Sequence, residues 1–455
     1  MLHTLFSSPL TFRLSSIIHH PSTFVPGRTR DDRRVTSPEN HVRLTAILIL
    51  LLFIISGCKG RKSASPTPDI QIKEQYWIRV LLLNNVSECS FEINSDFSII
   101  EEATAQNKQK KKDYNPLKKP VSIKIVDGKI KIASKNFSSN QVIISPENPY
   151  VFNVNDKSYR GKIKLILNAD ANSFDVLNLV PIESYIAGVA GAEMPDYWEP
   201  EALKCQVIAA RTYCLFIKKR FGDNREWDLN KTAAHQVYLG MEAESSAVWK
   251  AVNETKGIVL TCEQLDGTED IFPTYYSSAC GGHTEDSKNV FGDSYESLKG
   301  VPCGYCKDVA RQEIFFWPEV EFEKEEVFSR LMNRYSSINR FGKITDISVD
   351  RESDYGDFTR LTRIKISGPN DVSEYLRAED FRLAIDPTGK KIRSAACKLK
   401  KTETGYAFTN GRGWGHGVGM CQCGVQGMAR EGKSTEEILN HYYPGSKYHV
   451  IDYSK

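Results

Sequence analysis

Short segments in which apolar and polar residues alternate occupy much of the chain between residues 76 and 168. The clearest are 121–126 and 161–167, and turn-forming pairs such as Asp127 and Gly128 separate the segments. Alternation with a period of two residues is typical of β-strands that bury one face. The pattern therefore predicts antiparallel sheet here, with strands at 78–83, 121–126, 130–133, 141–145 and 161–167.

The hydrophobic period changes to that of a helix after residue 181. A short helix is predicted at 182–190. A longer helix is predicted to begin at Pro200, because proline suits the first helical position and Glu201 adds a favourable negative charge to the first turn. It is expected to run to about Phe221 and to end before Gly222.

Strands and helices mix over the remainder of the chain. The last helix is predicted from a capping box, in which Ser434 and Glu437 satisfy main-chain N–H groups at the helix start. Strands outnumber helices and do not alternate with them regularly, so we predict an α+β fold. An antiparallel-strand-rich region at 76–160 would precede a mixed region at 161–450. The other predicted elements are a helix at 243–255 and strands at 257–260, 272–278, 344–349 and 361–366.

The N-terminal segment resembles an export signal. An apolar run of twelve residues at 44–55 is too short to span a bilayer, which needs ~20, but it fits the apolar core of a signal peptide. The residues that end in Cys58 resemble a bacterial lipobox, which predicts cleavage before Cys58 and its lipidation. An ordinary signal anchor is the alternative. We therefore expect a leader at 1–57, a polar tether at 58–75, and a lipoprotein of the cell envelope that faces the periplasm or the outer surface.

Charge does not indicate a polyanionic partner. Residues 1–57 contain six arginines and three acidic residues, so they account for the whole formal charge of +3 and leave the rest of the chain neutral. A protein that binds nucleic acid usually has a basic patch, so we predict no nucleic-acid partner. The one basic run, 108–113, is interpreted as a solvated loop.

A glycine-rich segment at 411–424 contains Trp414 and His416. Glycine loses more conformational entropy on folding than other residues, so five alternating glycines need a reason. Either they serve a tight turn, or the backbone lies against a ligand and the two rings point into a cleft. The segment lacks the Lys-Ser/Thr of a phosphate-binding loop. Cys421 and Cys423 are interpreted as small buried thiols, because this spacing is awkward for a relaxed disulfide.

Glu193 is a candidate general acid. It lies between two predicted helices, among Ala192, Met194 and Pro195. Apolar surroundings favour the neutral carboxyl, which a general acid needs at neutral pH. The alternative is a carboxylate at a helix end without a catalytic role.

Two cations follow Glu193 on the long predicted helix. Lys204 and Arg211 are seven residues apart, about two turns, so they share one face of the helix. Such a pair could bind a sugar, a carboxylate or the acid itself. A solvated basic face is the alternative.

Cysteine and histidine occur in two pairs with metal-ligand spacing among the eleven cysteines of the chain. Cys280 and His283 form the first pair, and Cys303 and Cys306 form the second. Two intervening residues in each pair are typical of tetrahedral zinc sites, so we predict a closed, structural Zn2+ site. A disulfide between Cys303 and Cys306, or a long-range disulfide from Cys280, remains open.

Together these motifs resemble the SpoIID/LytB domain family, which is named for stage II sporulation protein D and an amidase enhancer. The matching segments occur in one order over about residues 160–450. One departure lies at 419–424, where the family's Gly-Met-Ser-Gln-Tyr-Gly is Gly-Met-Cys-Gln-Cys-Gly. The matching segments are 181–195, 198–204, 209–213, 228–240, 251–257, 276–285, 411–422 and 438–443.

The resemblance implies a peptidoglycan lytic transglycosylase with helices lining a cleft, acting preferentially on glycan strands stripped of peptide stems. The family's catalytic acid falls on Glu193, and its basic helix residues fall on Lys204 and Arg211, which would bind substrate or tune Glu193. Some members bind zinc through Cys and His near the Gly-Gly segment, and the chemistry itself requires no cofactor. Further substrate-binding positions are expected at Tyr276, Glu285, Trp414, His416 and Tyr443.

Two other activities remain open. One is a non-catalytic, glycan-binding enhancer of an N-acetylmuramoyl-L-alanine amidase. The other is a hydrolase with a second carboxylate, Glu285 or Asp286, because ordinary glycosidases need two flanking carboxylates. The expected partners are peptidoglycan glycan strands, a cell-wall amidase, and a membrane through the lipid anchor.

Overall fold

The computed structural model describes residues 76–103 and 108–453. The predicted leader, the tether and Cys58 lie outside the described residues. The first twelve strands are β1 Trp77–Val86, β2 Glu88–Glu92, β3 Phe97–Glu101, β4 Lys110–Tyr114, β5 Val121–Val126, β6 Lys129–Ile132, β7 Lys135–Asn136, β8 Gln141–Pro146, β9 Val151–Val154, β10 Lys157–Arg160, β11 Lys162–Leu167 and β12 Phe174–Pro181. The later strands are β13 Leu229–Asn230, β14 Ile258–Glu263, β15 Glu269–Ile271, β16 Tyr276–Ser277, β17 Phe316–Trp317, β18 Val320–Glu323, β19 Asp346–Asp354, β20 Thr359–Ser367, β21 Ser373–Arg377, β22 Lys398–Lys401, β23 Gly405–Thr409, β24 Gly411–Arg412, β25 Met420–Cys421 and β26 Lys447–Val450.

Helices concentrate after β12. They are α1 Ile182–Glu193, α2 Pro200–Phe221, α3 Ser246–Glu254, α4 Ser287–Val290, α5 Gln312–Phe315, α6 Lys324–Arg334, α7 Ser336–Asn339, α8 Ala378–Ile385, α9 Gln422–Arg430 and α10 Thr435–Tyr442. The described part of the chain contains no helix with the length and apolar character that a membrane crossing requires. With largely antiparallel sheets beside these helices, the fold is α+β, as predicted.

Two sheets form the N-terminal part of the fold. The seven-stranded sheet has the order β13-β1-β12-β11-β8-β3-β4, and the six-stranded sheet has the order β10-β9-β2-β5-β6-β7. All pairings in them are antiparallel except β1 with β13. The five strands predicted before residue 168 fall on β1, β5, β6, β8 and β11. The larger sheet joins strands from both sides of residue 160, where the sequence pattern suggested a boundary, and that boundary stays a prediction.

The basic run at 108–113 is not a loop, as the sequence analysis had it, but largely the edge strand β4. It pairs with β3, while Lys110, Lys111 and Lys112 stay exposed. Strand pairing uses main-chain groups only, so a charged segment can form an edge strand without burying its side chains. Lysines on an edge strand also discourage pairing with other chains.

Helix α2 lies at the centre of the helical part, in contact with α1, α3, α9 and α10. Its bounds, Pro200–Phe221, are those that the sequence predicted. Helix α1 runs three residues beyond its predicted end and finishes at Glu193. The capping box of Ser434 and Glu437 is present at the start of α10.

Buried apolar side chains form two separate clusters. The larger one spans both N-terminal sheets, α1, α2 and the C-terminal segment. The second contains side chains between Trp317 and Phe408, from β18–β23 and α6–α8. The segments that lead into and out of this second cluster are neighbours, because β17 pairs with β24. No pattern in the sequence predicted a separate core here.

Strands β16 and β25 bring two distant motifs together. They pair in parallel, with Tyr276 opposite Met420 and Ser277 opposite Cys421. An isolated bridge between Ala279 and Trp414 extends the contact. The glycine-rich segment therefore lies directly against the segment around Tyr276.

Candidate active site

Glu193 occupies the C-terminal end of α1 and is half-buried. Its Oε1 accepts a hydrogen bond of 3.0 Å from the main-chain N–H of Val237. Burial raises the pKa of the Glu193 carboxyl, and this effect exceeds the opposing effect of hydrogen bonds from Val237 and Gln422. The negative end of the helix dipole also disfavours a carboxylate at this position. The group is thus suited to carry a proton at a higher pH than an ordinary glutamate.

Buried glutamines surround Glu193. Gln422 donates from Nε2 to the main-chain oxygen of Glu193 and to Oε1 of Gln206, both at 3.3 Å. Gln236, directly before Val237, donates to the Tyr276 hydroxyl at 3.0 Å. No role for these amides was predicted from the sequence. Their position among apolar residues in the sequence could have indicated that they are buried. A buried amide must find hydrogen-bond partners, so burial would have pointed to a structural role.

The two cations of α2 share a face, as predicted, but that face does not present both of them to solvent. Arg211 is completely buried and donates to both carboxylate oxygens of Glu183, at 2.7 and 3.1 Å, and to the carbonyl of Ile258 at 2.9 Å. A side chain with these partners does not bind substrate. Lys204 is partly exposed and pairs with Glu201 and, at 3.7 Å, with Glu254.

His416 uses both ring nitrogens inside the protein. Val418 N–H donates to Nδ1 at 3.0 Å, so Nδ1 is unprotonated, and Nε2–H donates to the carbonyl of Tyr276 at 2.9 Å. Burial lowers the pKa of His416 to about 4, so the ring is neutral at ordinary pH. The predicted contact of this imidazole with substrate is therefore corrected: His416 holds the glycine-rich segment to the Tyr276 strand.

Glycine in the 411–419 segment serves close packing within the protein. Gly413 has a positive φ of 72°, and a Cβ there would lie 2.3 Å from the oxygen of Ala279. At Gly417, with φ of 73°, a Cβ would lie 2.5 Å from Nη1 of Arg360. These are conformations and contacts that only glycine allows. Of the two interpretations of this segment, the described contacts favour the tight turn.

The two aromatic candidates differ in exposure. Trp414 is partly exposed, and the Arg393 guanidinium lies 5.0 Å from its ring centroid. Tyr443 is completely buried and donates its hydroxyl to the carbonyl of Tyr275 at 2.8 Å. The expectation that Tyr443 binds substrate is thus not met, because no face of its ring reaches solvent.

Glu285 is also buried rather than open to substrate. Its Oε1 accepts from Asn289 at 2.8 Å and from Ser353 at 3.1 Å, and its Oε2 accepts from the Tyr355 hydroxyl at 2.8 Å. Arg360 lies 3.9 Å away and is itself 1% exposed. Ser353, Tyr355 and Arg360 come from β19, β20 and the turn between them. The main-chain N–H of Glu285 donates to the carbonyl of Gly417 at 2.8 Å, so Glu285 joins β19 and β20 to the glycine-rich segment.

Four cysteines form the candidate metal centre. The Sγ atoms of Cys280, Cys303, Cys306 and Cys421 all lie within 4.8 Å of one another and are buried. The Cys280 and Cys306 sulfurs are 3.7 Å apart. Four thiolates at 2.3 Å from a tetrahedral zinc would lie about 3.8 Å apart, so the arrangement fits this ion. The ten described cysteines are free, which does not favour the disulfide alternatives.

In this four-sulfur set Cys421 takes the place predicted for His283, which corrects the predicted ligand set. Cys421 and Cys423 are both buried free thiols, as predicted. The His283 ring stacks on Tyr355 with centroids 4.0 Å apart, and its Nδ1 lies 2.6 Å from the carbonyl of Thr284. Gly281 and Gly282 adopt positive φ values of 83° and 125° between Cys280 and His283. Cys421 is brought to the cluster by the pairing of β16 with β25, and its Sγ accepts the main-chain N–H of Cys280 at 3.2 Å. Spacing along the chain does not reveal that pairing.

Comparison with known proteins is consistent with these motifs. A family model described as "Stage II sporulation protein" matches residues 170–262. An uncharacterised protein of Brachyspira hyodysenteriae is 34% identical over 304 residues, which cover 67% of this chain and 75% of that protein. The stage II sporulation protein D of Bacillus subtilis is 28% identical, over 60% of this chain and 76% of its own. The amidase enhancer of Bacillus subtilis is 28% identical over 71% of this chain, which spans about half of that longer relative, 49%.

Proposed function

Because the chain belongs to the SpoIID family, we propose that it is a peptidoglycan lytic transglycosylase with Glu193 as its catalytic acid. The observation that carries this proposal is the environment of Glu193, half-buried at a helix C-terminus, where burial raises the pKa of the carboxyl. A general acid works best when its pKa lies near the working pH. The substrate is the glycan strand, preferentially one stripped of its peptide stems.

In the proposed reaction, the protonated Glu193 donates its proton to the oxygen between N-acetylmuramic acid and N-acetylglucosamine. The bond from that oxygen to C1 of the muramic acid breaks. The Glu193 carboxylate then takes the proton of the muramoyl 6-hydroxyl while the 6-oxygen bonds to C1. The product ends in a 1,6-anhydro ring, no water is consumed, and Glu193 returns to its protonated state. One carboxyl therefore suffices for both steps.

The surroundings of the other candidate acids support this single-acid scheme over a hydrolase. Glu285 is 2% exposed, and hydrogen bonds to both carboxylate oxygens hold it in the protein interior. Asp286 caps α4 by accepting the main-chain N–H of Lys288 at 2.8 Å. The Glu285 carboxylate is therefore not free to activate water across a sugar from Glu193, and one oxygen of Asp286 is engaged in the helix cap.

The proposed setting is the cell envelope, with a lipid anchor at Cys58 and a role in wall remodelling, septation or sporulation. This part rests on the signal-like N-terminus and on the family. Lys204, Tyr276 and Trp414 are partly exposed, so these predicted substrate-binding side chains retain access to solvent.

Stimulation of a cell-wall amidase is the second candidate function, favoured by the similarity to a protein named amidase enhancer. In that case the chain would bind glycan strands and a partner N-acetylmuramoyl-L-alanine amidase without cleaving glycan. Chemistry at Glu193 would then be unnecessary.

We also propose that Cys280, Cys303, Cys306 and Cys421 hold one structural Zn2+ ion. Four sulfur ligands would close the site, so the ion would have no open position for substrate. It would hold together the segments that carry Tyr276, just before Cys280, and Gln422, just after Cys421.

The test is digestion of peptide-free sacculi by wild-type protein and by the Glu193→Gln variant. We expect the variant to release soluble glycan about 10²- to 10⁴-fold more slowly, as is typical for loss of a general acid. Glu199→Gln, an exposed acid six residues away, is the matched control and should retain activity. If Glu193→Gln digests sacculi at the wild-type rate, the transglycosylase proposal is wrong. If neither the wild-type protein nor the variant releases glycan, and both stimulate an added amidase, the enhancer function is identified instead.

A further inference from the structure

Gln236 has a fully determined set of hydrogen bonds. Its Oε1 accepts from the Tyr185 hydroxyl at 3.1 Å, and its Nε2 donates to the carbonyl of Ala210 at 3.1 Å and to the Tyr276 hydroxyl at 3.0 Å. The Ala210 carbonyl can only accept, so the amide has only one possible orientation. Gln236 is only 1% exposed.

This orientation decides the direction of the Tyr276 hydroxyl. Because Gln236 Nε2 donates to the Tyr276 oxygen, the single hydroxyl proton must point elsewhere. Among the residues that the structure describes, none accepts that proton. Burial raises the pKa of Tyr276 well above its usual range, with a smaller contribution from Glu193, so the hydroxyl stays protonated.

The consecutive residues Gln236 and Val237 link the Tyr276 hydroxyl to the Glu193 carboxyl. Gln236 contacts the Tyr276 hydroxyl, and the next residue, Val237, donates its main-chain N–H to Glu193. Tyr276 is partly exposed, as is Glu193. The unused proton of Tyr276 is therefore available to a molecule bound next to Glu193.

We propose that Gln236 is a positioning residue that makes the Tyr276 hydroxyl a dedicated hydrogen-bond donor to an oxygen of the sugar bound at Glu193. The inference rests on the proposed function for its substrate class, an N-acetylhexosamine strand. It assigns Gln236 an effect through Tyr276 rather than contact with the substrate. Preorganised donors of this kind stabilise the transition state because they need no reorientation during the reaction.

The test is a double-mutant cycle on soluble, peptide-free glycan strands, with Gln236→Met, Tyr276→Phe and the combined variant. We expect each single variant to lower kcat by about tenfold to a hundredfold. The combined variant should be no slower than Tyr276→Phe, because the two residues act through one hydroxyl. Two outcomes would overturn the inference. One is a loss of kcat in the combined variant that equals the product of the two single losses, and the other is a kcat of Gln236→Met within about threefold of wild type.

Tyr185→Phe is the matched control. It removes one buried hydrogen bond from the same amide but leaves the bond to Tyr276, so kcat should stay within about threefold of wild type. If Gln236→Met fails to fold, Gln236→Glu replaces it. The introduced carboxyl accepts from Tyr276 when ionised, so the loss of kcat should deepen as pH rises through its pKa. A loss independent of pH would indicate a merely structural role.

Failure of the proposed function would give a different result from failure of this inference. If wild-type protein cleaves no glycan, the transglycosylase proposal fails. The same cycle is then measured as affinity for the glycan strands by titration calorimetry. Equal, non-additive losses of affinity in the Gln236 and Tyr276 variants support the positioning role, and independent losses contradict it.

Discussion

Arg211 and Glu183 form a bidentate ion pair, with Nη2 to Oε2 at 2.7 Å and Nε to Oε1 at 3.1 Å. Glu183 lies in the first turn of α1, and Glu193 is the last residue of that same helix. Arg211 thus ties α2 to the helix that presents the proposed acid. A cation that the sequence suggested as a substrate ligand orients the acid-bearing helix instead.

Removal of this pair is predicted to reduce stability. In Arg211→Met the Glu183 carboxylate loses its buried partner, and breaking a buried pair in this way typically costs about 3–5 kcal/mol of unfolding free energy. Urea unfolding monitored by tryptophan fluorescence measures the change. Lys204→Met is the control, and should cost less than about 1 kcal/mol because its ion pairs are partly solvated. Equal losses in the two variants would contradict the structural role of Arg211.

Zinc content distinguishes the two candidate ligand sets, which differ in whether Cys421 or His283 is the fourth ligand. Wild-type protein purified under reducing conditions should contain about one zinc ion per chain, measured by elemental mass spectrometry. Cys421→Ser should lose most of this metal, because one of the four sulfur ligands is removed. His283→Gln should retain it, because the His283 ring stacks on Tyr355 outside the cluster.

Cys423→Ser is the matched control for Cys421→Ser, since Cys423 is buried nearby but does not belong to the four-sulfur set. It should retain zinc. Loss of zinc in His283→Gln, with retention in Cys421→Ser, would restore the ligand set that spacing alone suggested. A folded, reduced wild-type protein without zinc would exclude the site.

The lowered pKa of His416 predicts that the stability of the folded chain depends on pH. The pKa of about 4 in the folded chain lies below the ordinary 6.5, so the unfolded chain binds the proton first as pH falls. The contribution of the neutral ring is complete above about pH 6.5 and declines progressively towards pH 4. At pH 5 the decline amounts to roughly 2 kcal/mol. Urea unfolding at pH 7 and pH 5 should show a smaller decline for His416→Gln than for wild type. An equal decline would show that His416 does not carry the effect.

The sequence predicted the local elements well where the pattern is strong. Proline at the first position and the following charge identified α2, and the capping box identified α10. These signals act within a few residues, so they can be interpreted without tertiary contacts. The edge strand β4 was missed because its residues are exposed, and an exposed strand has no alternating burial to detect.

The sequence identified the site motifs but not how their side chains are used. Helical spacing placed Lys204 and Arg211 on one face, yet only packing shows that Arg211 is buried against Glu183. The exchange of His283 for Cys421 depends on the parallel pairing of β16 with β25, two strands more than a hundred residues apart. Such long-range pairing leaves no local signal in a single sequence.

The most direct test of the role of Glu193 is the mass of the glycan ends released in heavy-oxygen water by wild-type protein and by Glu193→Gln. Attack by the sugar's own 6-hydroxyl predicts anhydro ends without heavy oxygen from wild type, and essentially no ends from the variant. Reducing ends that contain heavy oxygen would show hydrolysis instead. Anhydro ends released equally by the variant would show that Glu193 is not the acid.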